Sequence, residues 1–340
     1  MKPSKAEFMI LNACRILASN PPSEQTREAI ATFAREHDEE KTIDPKRALD
    51  GLIERGWVTL PDGGKPLSLN ADAAALAEIA AADISPELFS HWMTKSEGSP
   101  TYLRFCELVY GLPFVQFNMV DAEQMASFVR LAALAPGTRL LDLGCGIGTQ
   151  AEYLSDLTGA RVTGVDYAPA SITRAKERCA AKAGRLDFLV CDMGSLDALG
   201  LPPSSFDAVV AFDTLYFAKD LDRTLGDLVA FLAPSGKLYA FWSEYGKTGT
   251  PPSALEPAGT RLGLALTKRG LAFETREFTA NDRAVWEKSL TSATELKPGF
   301  EAEGALDLYW GRIVETEEIL EMLTTGAGRR YLYIVGAGLL

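Results

Sequence analysis

The stretch that most limits what this chain can fold into is LLDLGCGIGTQAEYL, residues 140–154. An apolar run of strand character meets three alternate glycines, Gly144, Gly146 and Gly148, and a helical pattern follows. Glycines at such a junction let the backbone turn tightly and let a ligand come close. Strand, tight turn and helix in that order form the repeating unit of a doubly wound α/β sheet, whose ligands sit beyond the carboxyl ends of the strands.

The alternation continues downstream. RVTGVDY, LDFLVCDM, FDAVVAFDT and KLYAFWS are short apolar runs of buried-strand type with helical patterns between them. LAFETREFT and RRYLYIVGAG add a sixth and a seventh strand. About fifty residues lie between those two, and an insertion of that length beside a ligand crevice is usually functional. Upstream, the spacing predicts helices over 5–18, from about Ser23, and over DPKRALDGLIERG, with Asp44 as N-cap and Gly56 as the stop. WVTLPDGGKPLSLN then reads as two short strands around a glycine turn. Three helices and a hairpin resemble a winged helix-turn-helix domain. The expected division is therefore a winged-helix-like domain at 1–80, a helical connector at 81–130, and an α/β domain at 131–340 with a helical insertion at about 280–326.

Charge and cysteine content narrow the function. The chain of 340 residues carries a net charge of −12, poorly suited to phosphate backbones. Residues 1–80 hold ten basic and thirteen acidic side chains, so the helix with Lys46, Arg47 and Arg55 lacks the footprint of a DNA reader. Five scattered cysteines without a CxxC pair read as reduced thiols in a cytoplasmic protein, with no metal site. No apolar run reaches the roughly 18 residues of a membrane span. The basic start MKPSKAEFMILNACRIL reads as a helix of the mature protein, because Asn12 and Arg15 interrupt its apolar part.

The glycine loop departs from both common phosphate loops. The dinucleotide fingerprint has its third glycine one residue later, and the Walker loop ends in Lys-Ser/Thr where this chain has Thr149-Gln150. Asp142, two residues before Gly144, would add negative charge beside a pyrophosphate. A cationic ligand without phosphate fits better, and S-adenosylmethionine is one. Asp166 follows Asp142 by 24 residues, the spacing at which an acid reaches ribose hydroxyls. Tyr167 is placed to pack on an adenine face, Asp192 to accept from its amino group, and Met193 to give soft apolar contact. Cys145 reads as a small residue offering its backbone N–H.

LLDLGCGIGT, VTGVDYAP, CDMGSL, SFDAVVAFDTLYF and LAPSGKLYAFWS stand in the order and approximate spacing of the class I S-adenosylmethionine-dependent methyltransferases, which the chain resembles over about Ala122–Ser243. The resemblance implies a Rossmann-like sheet of seven strands with the last antiparallel, and S-adenosylhomocysteine as the product. It assigns Asp142 and the loop Gly144–Gly148 with Thr149 to the methionine end, Asp166 to ribose, Asp192 and Met193 to adenine, and the backbone at Ala211 and Phe212 to the reacting end. It also suggests YGLPFVQFNMV as a lid, with Gln116 and Asn118 toward the cofactor and Phe117 toward the substrate.

Methyl transfer from a sulfonium needs a base only when the acceptor keeps its proton. The only histidines are His37 and His91, so base candidates near the strand ends are Asp213, Tyr216 and Glu244. In the insertion, Tyr309, Trp310, Arg312 and Glu315 share helical spacing and are expected to line a substrate pocket, suited to a cationic amine. The expected protein is a homodimeric enzyme of specialised metabolism that methylates nitrogen or oxygen of a small molecule. Two rivals are a peptide or protein methyltransferase and an S-adenosylmethionine-sensing DNA-binding regulator.

Overall fold

The computed structural model describes residues 3–36, 44–62, 65–80, 86–246 and 249–339. His37 and the side chain of Glu315 lie outside the described residues. The chain divides into two compact units, Met1–Ser85 with Leu296–Glu315, and Pro86–Glu295 with Thr316–Leu340. The N-terminal unit is thus discontinuous, and part of the insertion expected in the α/β domain belongs to it.

The N-terminal unit opens with a helix, Lys5–Leu17, started by a capping box in which Ser4 and Glu7 satisfy each other's backbone N–H groups. The next helix, Arg27–Glu36, begins later than the prolines suggest. Gln25 is drawn inward to donate to Ala18 O and Asn20 O and to accept from Leu67 N, and the Thr26 hydroxyl then caps Ala29 N at 3.1 Å. Asp44 caps the helix Pro45–Glu54 through Arg47 N, and Gly56 follows it in the left-handed region. Strands β1 (Val58–Thr59) and β2 (Ser68–Leu69) pair antiparallel and lead to the helix Ala71–Ala80. Ile10, Leu11, Ile30, Leu49, Leu52 and Leu76 bury the apolar faces of these helices.

The second unit starts with the helices Pro86–Glu97, Pro100–Tyr110 and Ala122–Leu131. Seven strands follow: β3 (Arg139–Leu143), β4 (Arg161–Asp166), β5 (Leu186–Val190), β6 (Phe206–Phe212), β7 (Leu232–Tyr245), β8 (Leu271–Glu277) and β9 (Gly328–Leu339). Their order in the sheet is β5-β4-β3-β6-β7-β9-β8, with β9 alone antiparallel to its neighbours. The expected seven-stranded, doubly wound sheet with its reversed last strand is the observed one. Order reverses between β3 and β6, so the crevice beyond their carboxyl ends is the switch point at which such sheets bind ligands. Both faces are covered. Leu141, Val209 and Leu238 are fully buried in the sheet, and Leu225, Leu228 and Leu262 come from helices packed on it. The insertion folds as two helices, Thr279–Ala302 and Leu306–Thr324.

Candidate functional site

The turn after β3 is built by packing as much as by backbone freedom. Gly144 has φ 78°, and a Cβ there would lie 2.4 Å from Thr214 Cγ2. Gly148 has φ 76°, and its Cβ would meet the Phe188 ring at 2.7 Å. Neither vacancy is open to a ligand, because protein side chains fill both. Gly144 N and Cys145 N donate to Val165 O at 2.7 and 3.0 Å, so these two amides belong to the join with β4. The buried Cys145 thiol is held protonated by burial, with Asp142 adding to the effect.

Two carboxylates flank the turn. Asp166, at the end of β4, accepts from Gly146 N at 2.9 Å and from Ala168 N at 2.9 Å, one to each oxygen. The Tyr167 backbone also bonds to it, and a carboxylate has about four acceptor positions, so room is left for a ribose hydroxyl. Burial pushes its pKa up, against those backbone donors. Asp142 is 1% exposed, and its Oδ2 has no hydrogen-bond partner. Burial, then the nearby Asp166, push its pKa up to about 7. Asp192 is exposed and accepts from Gly194 N at 2.7 Å, with Met193 half-buried beside it. Tyr167 is half-buried, Ala211 and Phe212 are buried in β6, and the Phe212 ring stacks on Phe241.

The segment 111–121 is tied to the helix that leaves the loop. The Thr149 hydroxyl donates to Val115 O at 3.0 Å, and Asn118 Nδ2 donates to Gln150 Oε1 at 2.9 Å. The polar groups of Thr149 and Asn118 therefore join segment to loop. Phe117 stacks on Tyr102 with centroids 5.3 Å apart. Gln116 is 2% exposed. Its Nε2 donates to Asn118 O and Val120 O, while its Oε1 has no partner. Met93, from the helix Pro86–Glu97, brings its methyl to 3.2 Å from the Cβ position of Gly146. His91, on the same helix, is exposed.

The three carboxylate and phenol candidates are all engaged. Asp213 Oδ1 accepts from Arg330 Nη1 and Tyr216 OH, and Oδ2 accepts from Arg330 Nη2 and Met119 N. Four donors saturate the group. Tyr216 OH also accepts from Ser243 N, and burial, then the Asp213 charge, hold its proton on. Glu244 Oε2 accepts from Trp242 Nε1 at 3.0 Å and Arg261 N at 2.9 Å. Two residues that the sequence reading passes over complete the cluster. Arg330, in β9, is fully buried. Asp282, in the first turn of the helix Thr279–Ala302, is 0% exposed and accepts on Oδ2 from Tyr245 OH at 2.7 Å and Ser243 Oγ at 3.4 Å. Asp282 Oδ1 has no partner, and burial raises its pKa despite the charge of Arg330. Neither had a local sequence signal. Each is a lone charge whose partners are 117 and 37 positions away.

Tyr309, Trp310 and Arg312 fall in the N-terminal unit and are buried. Trp310 Nε1 donates to Asp72 at 2.8 Å, and its ring meets Trp57 edge-on at 5.9 Å. The cation over the Tyr309 and Trp310 rings is the chain's own Lys297, 5.5 and 5.9 Å from their centroids and 2.9 Å from Asp72. The aromatic pair expected to receive a cationic amine therefore already holds an internal one.

Comparison with known proteins agrees with this geometry. A family profile described as a methyltransferase domain matches residues 141–240. Squalene methyltransferase 1 of Botryococcus braunii is 30% identical over 132 residues, which are 39% of this chain and 34% of that protein. Phosphoethanolamine N-methyltransferase 1 of Arabidopsis thaliana is 30% identical over 160 residues, 47% of this chain and 30% of that one. The matched part of the chain thus spans about a third of the length of these relatives. Among solved structures, Haemonchus contortus phosphoethanolamine N-methyltransferase 2, in complex with phosphomonomethylethanolamine and S-adenosylhomocysteine, aligns with TM-score 0.57. Its identity is 21%, covering 75% of this chain and 61% of that one. The [4+2]-cyclase SpnF aligns with TM-score 0.54 at 19% identity, covering 74% and 96%. Residues 141–240 are thus a match to a methyltransferase domain, and the order of the seven-stranded sheet is that of a Rossmann-like methyltransferase fold.

Proposed function

We propose that this chain moves the methyl group of S-adenosylmethionine to a nitrogen or oxygen of a small-molecule acceptor and releases S-adenosylhomocysteine. The observation that carries the reading is Asp142. A buried carboxyl oxygen without a donor, beside a left-handed turn at the switch point of the sheet, calls for a ligand with a cationic donor. The cofactor fits these residues. Asp142 Oδ2 and Gln116 Oε1 are unfilled acceptors for its ammonium, and Asp166 keeps acceptor capacity for its ribose. Asp192, Met193 and Tyr167 would meet the adenine. When bound, the cofactor supplies a methyl group already activated on sulfonium.

The chain's part in the reaction is to align the partners and exclude water. Asp213, saturated by Arg330, Tyr216 and Met119, shapes the site. Tyr216 remains protonated and Glu244 fixes the strand end. We assign contact with the acceptor to Asp282, whose Oδ1 is the unfilled acceptor in the cluster at the ends of β6 and β7. A nitrogen or oxygen bearing a proton offers the hydrogen bond this oxygen lacks, and the same carboxyl can take the proton. The named relatives act on squalene and phosphoethanolamine, which favours a small-molecule acceptor. The N-terminal unit is read as a pairing or substrate-covering element of a homodimer.

The test uses cofactor labelled on its methyl group, incubated with the protein and a small-molecule extract of its host cells alongside the whole lysate. Label in a low-mass fraction that resists protease and nuclease is expected. Label that disappears on protease treatment would replace this reading with a peptide or protein methyltransferase.

A further inference from the structure

We propose that Arg330 is a positioning residue of the cofactor site. From the last strand it fixes the backbone of Met119, and through it the side-chain amide of Gln116. The proposal rests on the reading that the glycine turn holds S-adenosylmethionine.

The segment 111–121 has no regular structure, yet Leu112, Phe114, Val115, Gln116, Met119 and Val120 in it are all buried. A buried irregular segment needs partners for its peptide groups. At Met119 both groups are held by side chains. Met119 N donates to Asp213 Oδ2 at 2.9 Å, and Met119 O accepts from Gln124 Nε2 at 3.2 Å. One guanidinium orients both holders. Arg330 Nη1 and Nη2 each reach Asp213 at 2.8 Å, and Arg330 Nε reaches Gln124 Oε1 at 2.7 Å. The planar fork of arginine matches this task, since its donors diverge at fixed angles toward a carboxylate and an amide together.

The arrangement continues to the ligand side. Gln116 Nε2 donates to Asn118 O at 3.2 Å and Val120 O at 2.8 Å, the carbonyls on either side of Met119. Its Oε1, the unfilled acceptor, is aimed by those two bonds. Arg330 thus sets Asp213 and Gln124, these set Met119, and the carbonyls flanking Met119 set Gln116.

Two further facts set this apart from an ordinary ion pair of the core. A buried pair is a weak source of stability compared with apolar packing, so its presence asks for a geometric reason. Asp213 also holds φ 56° without being glycine, the kind of strain that collects at functional sites. That conformation places its carboxylate between Arg330 and Met119.

The test compares wild type with Gln124→Met and Arg330→Lys. Gln124→Met removes one holder of Met119 and leaves the Asp213–Arg330 pair whole. Arg330→Lys keeps the charge and loses the fork. Hydrogen exchange is read on the ligand-free protein, at temperatures equally far below each melting midpoint. The Met119 and Val120 amides should exchange at least about tenfold faster in both variants, with β4 still protected. Calorimetry with S-adenosylhomocysteine should show a dissociation constant weaker by about tenfold. Unchanged exchange at Met119 in Gln124→Met overturns the proposal, and so does protection lost evenly across the sheet. Faster exchange with unchanged affinity also overturns it, because the strut would then not serve the ligand. If Arg330→Lys does not fold, Gln124→Met decides alone. Failure of the wild type to bind S-adenosylhomocysteine overturns the proposed function, while the exchange arm still reports on the strut.

Discussion

Among single residues, Asp142 has the most direct consequence. Its pKa in the fold is pushed up to about 7, above the roughly 4 of an unfolded aspartate. Between those values the folded chain holds a proton that the unfolded chain has lost. Stability from this group is therefore present at low pH and is lost as pH rises toward about 7, by about 1.4 kcal/mol for each tenfold fall in proton concentration. Denaturant titrations of wild type and Asp142→Asn should show the wild type losing ground to the variant between about pH 4 and about pH 7. Ligand binding should run the other way, because an ammonium favours the carboxylate. Affinity for S-adenosylhomocysteine should rise with pH in the wild type and stay flat in Asp142→Asn. Asp282 gives a separate prediction. Asp282→Asn should bind S-adenosylhomocysteine as the wild type does and lose turnover by about 10²- to 10⁴-fold. Near-native turnover with whichever acceptor takes the label would remove Asp282 from the chemistry.

The turn from β3 to its helix, as an element, is defined by what fills the space beside its glycines. Gly144→Ala should destabilise the fold by about 1–3 kcal/mol, from the left-handed backbone and from the overlap with Thr214 Cγ2. Thr214→Ser removes that methyl and keeps a hydroxyl for Leu143 O, so the double variant should recover part of the loss in chemical denaturation. No recovery would assign the cost to φ together with the Thr214 Cβ, which stays 2.9 Å from the added methyl. The turn also marks how much the sequence discloses. Strand, glycines and helix are neighbours in the chain, so Asp142, Asp166 and the seven strands can be read from spacing. The Thr214 and Phe188 side chains that occupy the glycine vacancies are remote in sequence, and nothing local announces them. Arg330 is hidden for the same reason. It sits in an ordinary apolar strand pattern, and its partner Gln124 is 206 positions away. The aromatic pair at 309–310 misleads in the opposite sense. Its residue types do suit a cation, but the sequence does not say that Lys297 arrives first.

For the whole molecule, the division into units follows tertiary packing instead of chain order. Asp72 holds both Lys297 and Trp310 and so fastens residues 296–315 to the N-terminal helices. Asp72→Ala leaves an ammonium and an indole N–H without that acceptor, at a cost of about 1–3 kcal/mol. Limited proteolysis should then cut the N-terminal unit faster while residues of the large sheet keep their protection. Equal sensitivity in wild type and variant would mean that the fastening is weak.

The discontinuity also imposes a schedule on synthesis. Residues 1–85 leave the ribosome before the sheet does, but the Lys297 and Trp310 that pack with them emerge only after the sheet's first six strands have been made. At the roughly 5–20 residues per second of translation, the 210 positions of residues 86–295 take about 10–40 s. Through that interval Trp57 and the Asp72 carboxylate wait for Trp310 and Lys297. The N-terminal unit is therefore begun before the sheet and completed after most of it.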